Sequence, residues 1–402
     1  KVDAEKVYDG TSSYTPEAGT YLTSNITTTD PNKGIVARDL GHITFSLTPG
    51  KTAHFTDDNG TETTHVSNTT GVAYNVTGHT DNAAEYQLGD YYIKVKVNGS
   101  NVDTALTNTF DVTGKGKITP KLLTATVVNN HITKVYDTKQ NQTDGNRNDI
   151  IGGALVTLSG FATVNGVLES RTNTSTADYA SPNVVWDATN QTEKAQNVTY
   201  HVSFDRGTGD ESENYILDAN ATGDARYGIE LTQDSAGKNY TGTITPRPIT
   251  ITMGTVDKIY DGTAVNTKSN ITGLAGKTAG DTIAATVLAD DGITAATLTA
   301  KHAAMLTAGT AHSSFGRVTG NSFAEDVNAS NGTEHDVRYQ NVGDVLQEAL
   351  AAAKKHNYTI DDTIYGKGTI NRRLIEKAGF QVRDKDGHDA NATRAYDGTN
   401  VF

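Results

Sequence analysis

The residues of this chain that could do chemistry are carboxylates, amides and tyrosines, because cysteine is absent and the histidines are scattered singly. The segment 384–389 alternates carboxylates around Gly387, as oxygen-ligand loops for calcium do. We therefore name Asp384, Asp386 and Asp389 as candidate calcium ligands, and calcium as the one cofactor that the sequence suggests. The complete twelve-residue loop is missing, and a polar turn without metal would use the same residues.

Modification of asparagine is a second candidate chemistry, because the pattern Asn-x-Ser/Thr recurs more often than the composition predicts. Sugars attached there would be bulky and solubilising, although asparagine and threonine are also common in turns and strands for structural reasons. The candidate glycosylation sites are Asn25, Asn68, Asn75, Asn98, Asn141, Asn173, Asn190, Asn197, Asn220, Asn239, Asn270, Asn328, Asn331, Asn357 and Asn391.

The strongest pattern is a repeated motif built on tyrosine and aspartate, which reads Lys-Val-Tyr-Asp-Gly-Thr in its first copy. Ile-Thr-Pro precedes the later copies at Ile118 and Ile244 and, in a degenerate form, at Ile370, and neighbouring isoleucines are 126 positions apart. Repetition at equal spacing is typical of a folding signature, so we interpret the motif as architecture, with a binding site at each turn as the alternative. Its central residues are Tyr8, Asp9, Gly10, Tyr136, Asp137, Tyr260, Asp261, Gly262, Tyr396, Asp397 and Gly398.

Elements that position this motif can be predicted from the alternation of apolar and polar residues. Residues 249–253 alternate as a half-buried strand does, and Asp261-Gly262 is typical of a tight turn, so Tyr260 should end a strand and pack on its own domain. An Asn-Tyr or Glu-Tyr step recurs at Tyr86, Tyr215 and Tyr358. Further strands are predicted at 42–47, 91–97, 123–127 and 198–204, and a helix at 344–355 that begins with a capping box of Asp344 and Gln347.

The motif spacing divides the chain into tandem units. We predict three β-repeats over 1–118, 119–244 and 245–370, called the first, second and third repeat below, and the start of a fourth over 371–402. Because the chain opens with lysine and ends inside a repeat, we expect it to be a window on a longer array.

Composition and net charge limit the classes of protein to which this chain can belong. The hydrophobic content of 35% and the abundance of threonine, asparagine and glycine favour several small β-rich cores. A net charge of −13 without a basic cluster disfavours nucleic acid and anionic membranes as partners, and no apolar run approaches the roughly 18 residues of a membrane span. No catalytic motif is found, so we predict that the chain is not an enzyme.

Ile-Thr-Pro followed by Lys-Val-Tyr-Asp-Gly-Thr resembles the YDG domains of filamentous-haemagglutinin-like bacterial surface adhesins, over the whole chain. The resemblance implies an all-β fold of tandem immunoglobulin-like β-sandwich domains, with β-grasp-like units as the alternative. The helical insertion near 344–355 in the third unit is a departure from this pattern. It also implies an extracellular location on the bacterial cell surface and a role as a stalk or fibre segment in cell adhesion. The alternatives are a lectin-like or protein-binding module and a segment of a self-assembling filament. Expected partners are the neighbouring repeats, other copies in a filament, and host or bacterial surface glycans or proteins.

Overall fold

The architecture is that of a computed structural model, which describes residues 4–16, 30–97, 99–143, 155–278, 280–281, 283–383 and 385–387. The chain is mostly β, with 42% of residues in strands and 13% in helical conformations, as the all-β prediction requires. It divides into two compact units. Unit 1 comprises Lys1–Lys134, Lys139–Ser181 and Ala195–Thr243, and unit 2 comprises Val135–Thr138, Pro182–Lys194 and Ile244–Phe402.

The first repeat forms one six-stranded sheet and one hairpin. The sheet has the order β1-β8-β5-β4-β2, with β3 also paired to β5, and the hairpin joins β6 to β7. The strands are β1 (Ala4–Val7), β2 (Ser13–Tyr14), β3 (Ile43–Leu47), β4 (Ala53–Thr56), β5 (Gly71–Thr80), β6 (Tyr92–Val97), β7 (Ser100–Ala105) and β8 (Thr109–Thr119).

The second repeat has an equivalent sheet, in the order β11-β22-β19-β16-β12, with β21 also paired to β19. Short pairs accompany it: β9 with β20, β10 with β13, β14 with β15 and β17 with β18. The strands are β9 (Lys121–Leu122), β10 (Thr124–Val127), β11 (His131–Val135), β12 (Asn141–Thr143), β13 (Val156–Ser159), β14 (Thr163–Val164), β15 (Val167–Leu168), β16 (Asn173–Tyr179), β17 (Trp186–Asp187), β18 (Thr192–Glu193), β19 (Gln196–Phe204), β20 (Tyr215–Ile216), β21 (Gly228–Leu231) and β22 (Thr241–Thr245).

The third repeat has a five-stranded sheet, β24-β30-β28-β26-β27, and a three-stranded sheet, β25-β23-β29. Its elements are β23 (Arg247–Met253), β24 (Val256–Ile259), β25 (Ile271–Gly276), α1 (Ala285–Asp290), α2 (Ala295–Ala308), β26 (His312–Thr319), β27 (Ser322–Glu325), β28 (His335–Gln340), α3 (Val342–Ala349), β29 (Tyr358–Thr359) and β30 (Ile364–Asn371). Apolar side chains from several of these strands form its core, among them Val256, Phe315, Val337, Tyr339 and Ile370.

All three main sheets share one plan, in which the motif strand lies at an edge beside the last strand of the same repeat. This pair is parallel in the first and third repeats, where Lys6 is opposite Ile118 and Lys258 is opposite Ile370. In every repeat the amide of the motif tyrosine donates to the last strand over 2.9 Å, and the acceptors are the carbonyls of Thr119, Thr245 and Asn371. The recurring isoleucine is therefore buried where each repeat closes.

The helical content corrects the sequence prediction in two ways. The predicted helix at 344–355 is observed as α3, which begins at Val342 and ends at Ala349. Its N-cap is Asn341 in a left-handed conformation without a side-chain cap, so the capping box of Asp344 and Gln347 is wrong. Helices α1 and α2 were not predicted, because their alanine- and threonine-rich sequence has little apolar periodicity.

Candidate functional site: a recurring tyrosine–carboxylate joint

The lysine of the motif ties the turn together. The Lys6 ammonium donates to Asp9 Oδ1 over 2.7 Å and to Thr11 Oγ1 over 2.9 Å, and Lys258 repeats the ion pair with Asp261 over 2.7 Å. Hydrogen bonds, first from Lys258 and then from the Thr263 amide, lower the pKa of Asp261 to about 2. The lysine of the motif thus bonds to the aspartate and the threonine of the same turn.

A glycine that the sequence analysis missed completes this local structure. Two residues before each recurring isoleucine lies a glycine, and an added Cβ there would approach an aromatic ring carbon to 2.6–3.0 Å. The motif lysine lies over the same ring, with 5.5–5.9 Å between its ammonium and the ring centroid. The three sets are Gly116, Phe55 and Lys6, then Gly242, Tyr179 and Lys134, then Gly368, Phe315 and Lys258. The glycines repeat every 126 residues, a signal that could have been found beside the isoleucines.

The motif tyrosine contacts the following repeat, not its own domain as the sequence reasoning expected. In unit 1 the Tyr8 hydroxyl donates to both carboxylate oxygens of Glu169, at 3.2 Å each, and the Tyr215 hydroxyl donates to the same carboxylate. The two tyrosine rings meet edge to face, with centroids 5.4 Å apart. Tyr8 and Tyr215 are 2% and 1% exposed, and the Glu169 carboxylate that joins them is half-buried.

A second contact beside this pair uses an asparagine. Asn214 is fully buried, its Oδ1 accepts from the amide of Val66 over 3.2 Å, and its Nδ2 lies 3.0 Å from His65 Nδ1. Gly10 approaches the second repeat so closely that a Cβ there would lie 2.2 Å from Val164 Cγ2. The Asn-Tyr step of the second repeat therefore contacts the first repeat through both of its side chains.

The same arrangement recurs in unit 2 with the next copy of the motif. The hydroxyls of Tyr136 and Tyr358 both donate to Asp291 Oδ2, over 2.9 and 2.7 Å, and their ring centroids are 5.3 Å apart. The Lys354 ammonium lies 2.6 Å from Asp291 Oδ1 and balances the charge of this buried carboxylate. An aspartate has replaced the glutamate of unit 1, but the chemistry of the contact is unchanged.

The asparagine contact recurs in unit 2 as well. Asn357 is fully buried, its Oδ1 accepts from the amide of Val184 over 2.8 Å, and its Nδ2 donates to Asn183 Oδ1 over 2.8 Å. We call each set of motif tyrosine, Asn-Tyr step and carboxylate a joint. Among the residues that the structure describes, each unit thus contains one complete joint.

Burial is the largest cause that raises the pKa of the joint tyrosines Tyr8, Tyr136, Tyr215 and Tyr358, and the adjacent carboxylate adds to it. A tyrosine hydroxyl is already protonated at neutral pH, and the raised pKa keeps it protonated further into the alkaline range. Each hydroxyl can therefore act as a donor to the carboxylate, which accepts two such bonds.

The first repeat carries half of a joint. The Tyr91 hydroxyl donates to Asp39 Oδ2 over 2.8 Å and accepts from the amide of Val36, as Tyr215 accepts from Ala162. This identifies Tyr91 as the counterpart of Tyr215, so the expected echo at Glu85-Tyr86 is wrong. Tyr86 stacks on His42 instead.

The fourth copy of the motif and the candidate calcium ligands lie near the end of the chain. Tyr396, Asp397, Gly398, Asp384 and Asp389 lie outside the described residues. Asp386 forms an ion pair with Lys385 over 3.1 Å, and the described part of the chain contains no group of three metal-ligating side chains. The calcium site stays a prediction.

The candidate asparagines differ in exposure, and only one can be rejected. Asn357 is fully buried and its amide is engaged in a joint, so it cannot carry a sugar in the folded chain. Asn25, Asn98 and Asn391 lie outside the described residues. Half-buried candidates are Asn68, Asn75, Asn141 and Asn173, and exposed candidates are Asn190, Asn197, Asn220, Asn239, Asn270, Asn328 and Asn331.

The cluster of Ser12, His54 and Glu62 has the residue types of a catalytic nucleophile and its base, but not their geometry. Ser12 Oγ lies 3.4 Å from His54 Nδ1, but its hydroxyl donates to Glu62. Ser12 is 5% exposed, so its oxygen is not presented to a substrate. The geometry of the described residues therefore favours a structural role for this cluster.

Comparison of the chain with protein-family models, with curated proteins and with solved structures finds no match in any of the three. Within the described residues, no helix has both the length and the apolar character needed to cross a membrane.

Proposed function

We propose that this chain is a structural segment of a stalk or fibre in a large secreted bacterial surface adhesin. The observation that carries the proposal is the joint: two successive copies of the motif tyrosine meet an Asn-Tyr step and a carboxylate of the following repeat. The same contact made twice from the same motif is what a chain of linked repeats requires.

The chemistry of the joint suits mechanical linkage. A carboxylate that accepts two hydroxyl hydrogen bonds is costly to separate from them, because breaking the joint would leave the buried Asp291 or the half-buried Glu169 without those partners. Edge-to-face ring pairs add packing that depends on geometry, with centroids 5.3–5.4 Å apart. Each repeat is thereby stabilised by its neighbour.

Composition and the sequence resemblance support the surface location. The absence of cysteine is compatible with secretion of an unfolded chain across an outer membrane, since no disulfide could form beforehand. The acidic net charge of −13 favours a solvated exterior. The part of the chain that the structure describes contains no cluster that favours catalysis over structure.

Single-molecule stretching of the 402-residue chain tests the proposal. We expect separate unfolding steps that each release roughly 40 nm of chain, the extended length of about 115–125 residues at 3.3–3.6 Å each. Tyr8→Phe should lower the force of one step, because it removes only the hydroxyl that reaches Glu169. Tyr92→Phe is the matched control, since that ring is 61% exposed.

Two results would contradict an array that resists tension. One is extension without resistance, and the other is a single step that releases the whole chain at once. Equal forces for wild type, Tyr8→Phe and the control would show that the joint does not contribute to mechanical strength.

A further inference from the structure

The outer face of the five-stranded sheet in the third repeat carries an arginine whose hydrogen-bond donors are not engaged. Arg338 lies on the central strand β28, and its guanidinium carbon is 4.4 Å from the centroid of the Phe323 ring. Its Nε is buried, the side chain as a whole is 26% exposed, and no hydrogen bond of the guanidinium is found among the described residues. The terminal N–H groups of this planar fork are therefore left for a ligand.

The aromatic ring beneath this arginine is fixed by the backbone. Phe323 on the edge strand β27 covers Gly316 of β26, where an added Cβ would approach the ring to 2.5 Å. The glycine thus lets the ring lie against the sheet, and the ring supports the guanidinium by stacking. Arg338 is held in place by this contact, without any hydrogen bond among the described residues.

A second ring lies beside this pair and is open to solvent. Tyr365 is directly opposite Arg338 in the pairing of β30 with β28, and it is 49% exposed. Its ring centroid is 6.1 Å from that of Phe323, with 42° between the two planes. The face of an exposed tyrosine ring is apolar and carries partial negative charge, so it attracts C–H groups of a ligand.

Charges around the two rings are balanced. The ion pairs Arg317–Asp326 and Lys367–Asp336 have distances of 3.3 and 2.6 Å. Glu325 has a 59% exposed side chain, and its Oε1 lies 3.9 Å from Nη2 of the stacked arginine, too far for a hydrogen bond. The surface therefore presents a donor and an acceptor side by side that do not satisfy each other.

We propose that this face of the third repeat binds an uncharged sugar ring, with Tyr365 as the stacking surface and Arg338 and Glu325 as the partners of its hydroxyls. A pyranose has a face of C–H groups and a rim of hydroxyls, which match an aromatic ring beside a donor and an acceptor. Phe323 is a positioning residue, because it acts through the arginine. The site adds a glycan ligand to one repeat of the proposed stalk.

An uncharged sugar fits this face better than other ligands. Each cation near the rings has a carboxylate beside it, and the net charge of −13 opposes the approach of an acidic sugar. A stable protein partner would bury on the order of 1,200–2,000 Å² in total, far more than one ring and one guanidinium provide.

Saturation-transfer NMR of the full chain with the methyl glycosides of glucose, galactose, mannose and N-acetylglucosamine tests the inference. We expect at least one of them to bind at millimolar concentration, with the strongest transfer to the C–H groups of one ring face. Tyr365→Ala should raise the apparent dissociation constant roughly three- to tenfold, whereas Tyr365→Phe should retain binding because it keeps the ring. Tyr92→Ala, which alters a 61% exposed tyrosine of the first repeat, should leave binding unchanged.

Arg338→Met tests the hydrogen-bonding partner. Methionine keeps an apolar chain over Phe323 but removes every donor, so binding should weaken by a similar factor. Thermal denaturation shows whether this variant keeps the fold. If it does not, Tyr365→Ala alone decides, because that change truncates an exposed side chain.

Three results would overturn the inference. The first is the failure of all four glycosides to bind, and the second is binding to Tyr365→Ala at wild-type strength. The third is tighter binding of glucuronate than of any neutral glycoside, strengthened further by Glu325→Gln, since it would show that the face selects an acidic ligand.

Self-association that Tyr365→Ala abolishes, with every glycoside silent, would assign the face to a second copy and would also overturn the inference. None of these substitutions alters a joint residue. A lowered unfolding force for Tyr8→Phe would therefore leave the proposed function standing whatever the sugars do.

Discussion

At the scale of single residues, the motif tyrosine is buried or exposed according to whether a further repeat packs against its turn. Tyr8 and Tyr136 are covered by a second tyrosine and a carboxylate, and Tyr260 is open to solvent although its turn is the same. The local sequence therefore determines where the ring is placed, and the following repeat determines its environment.

Thr138 occupies the turn position that glycine holds in the first and third repeats. Its φ is +69°, close to the +81° and +82° of Gly10 and Gly262, and a β-branched residue is strained there. We expect Thr138→Gly to raise the free energy of unfolding by about 0.5–1 kcal/mol in chemical denaturation.

The reciprocal change is the matched control for this strain. Gly262→Thr should lower stability by a similar amount, because an added Cβ meets no atom within 4 Å and only the backbone conformation matters. If Thr138→Gly were destabilising, the threonine side chain would have to make a compensating contact.

His302 on α2 predicts a dependence of stability on pH. It is fully buried, Ser269 Oγ lies 2.9 Å from Nδ1, and burial lowers its pKa from 6.5 to about 4. Between pH 6.5 and 4 the unfolded chain binds the proton more readily. The free energy of unfolding should therefore fall with decreasing pH in this window, by at most roughly 3 kcal/mol.

Urea denaturation at several pH values measures this effect. His302→Asn, which can still hydrogen-bond Ser269, should flatten the pH profile, whereas the same replacement of the exposed His312 should not. An unchanged slope in His302→Asn would assign the acid sensitivity to other groups.

At the scale of elements, the last strand of each repeat is the one that the fold constrains most. It lies beside the motif strand, and its glycine leaves room for the aromatic ring on which the motif lysine rests. The strand can carry no side chain at that position without displacing the ring. This explains why the glycine and the isoleucine keep a common spacing of 126 residues.

Gly368 on β30 gives the clearest test of this constraint. An added Cβ would lie 2.6 Å from Phe315 Cε1 and 2.8 Å from the carbonyl oxygen of Val256. We expect Gly368→Ala to lower the free energy of unfolding by about 1–3 kcal/mol through overpacking. Gly379→Ala is the control, because nothing lies within 4 Å of its added Cβ. Equal stabilities of the two variants in thermal denaturation would refute the packing argument.

At the scale of the whole molecule, the joints couple segments that are far apart in sequence. Tyr8 and Glu169 are separated by 161 residues and Tyr136 and Asp291 by 155, yet each pair is hydrogen-bonded, part-buried in the first case and buried in the second. The free energy of unfolding of such an array is approximately the sum of a contribution from each repeat and a contribution from each contact between neighbouring repeats. Changes in one joint should therefore affect the repeats that share it.

Tyr8→Phe measures how much the contact of Tyr8 with the second repeat contributes to stability. We expect it to lower the free energy of unfolding of unit 1 by about 1–3 kcal/mol, because it removes a hydrogen bond to a charged acceptor and retains the ring packing. Tyr260→Phe, measured in dilute solution, should have no effect, since that hydroxyl is exposed. Equilibrium denaturation of both variants measures the difference. An equal loss of unfolding free energy in the two variants would mean that the joint does not contribute to stability.

Features that depend on short-range rules could be predicted from the amino-acid order. Alternation predicted a strand at 249–253, which is observed within Arg247–Met253, and the Asp-Gly step predicted the turn after Tyr260. These features depend on backbone conformation and on which face of a strand is apolar. Both are properties of a few consecutive residues.

The groups that each tyrosine meets are set by the tertiary fold and could not be predicted in this way. Asp39 and Asp291 lie 31 residues after Tyr8 and Tyr260, and Glu169 lies 33 residues after Tyr136, but this spacing alone does not show which tyrosines they meet. A carboxylate in a loop has no local pattern that marks it as the acceptor. Its role arises from the folding of distant segments onto one another, which brings two hydroxyls to the carboxylates of Glu169 and Asp291.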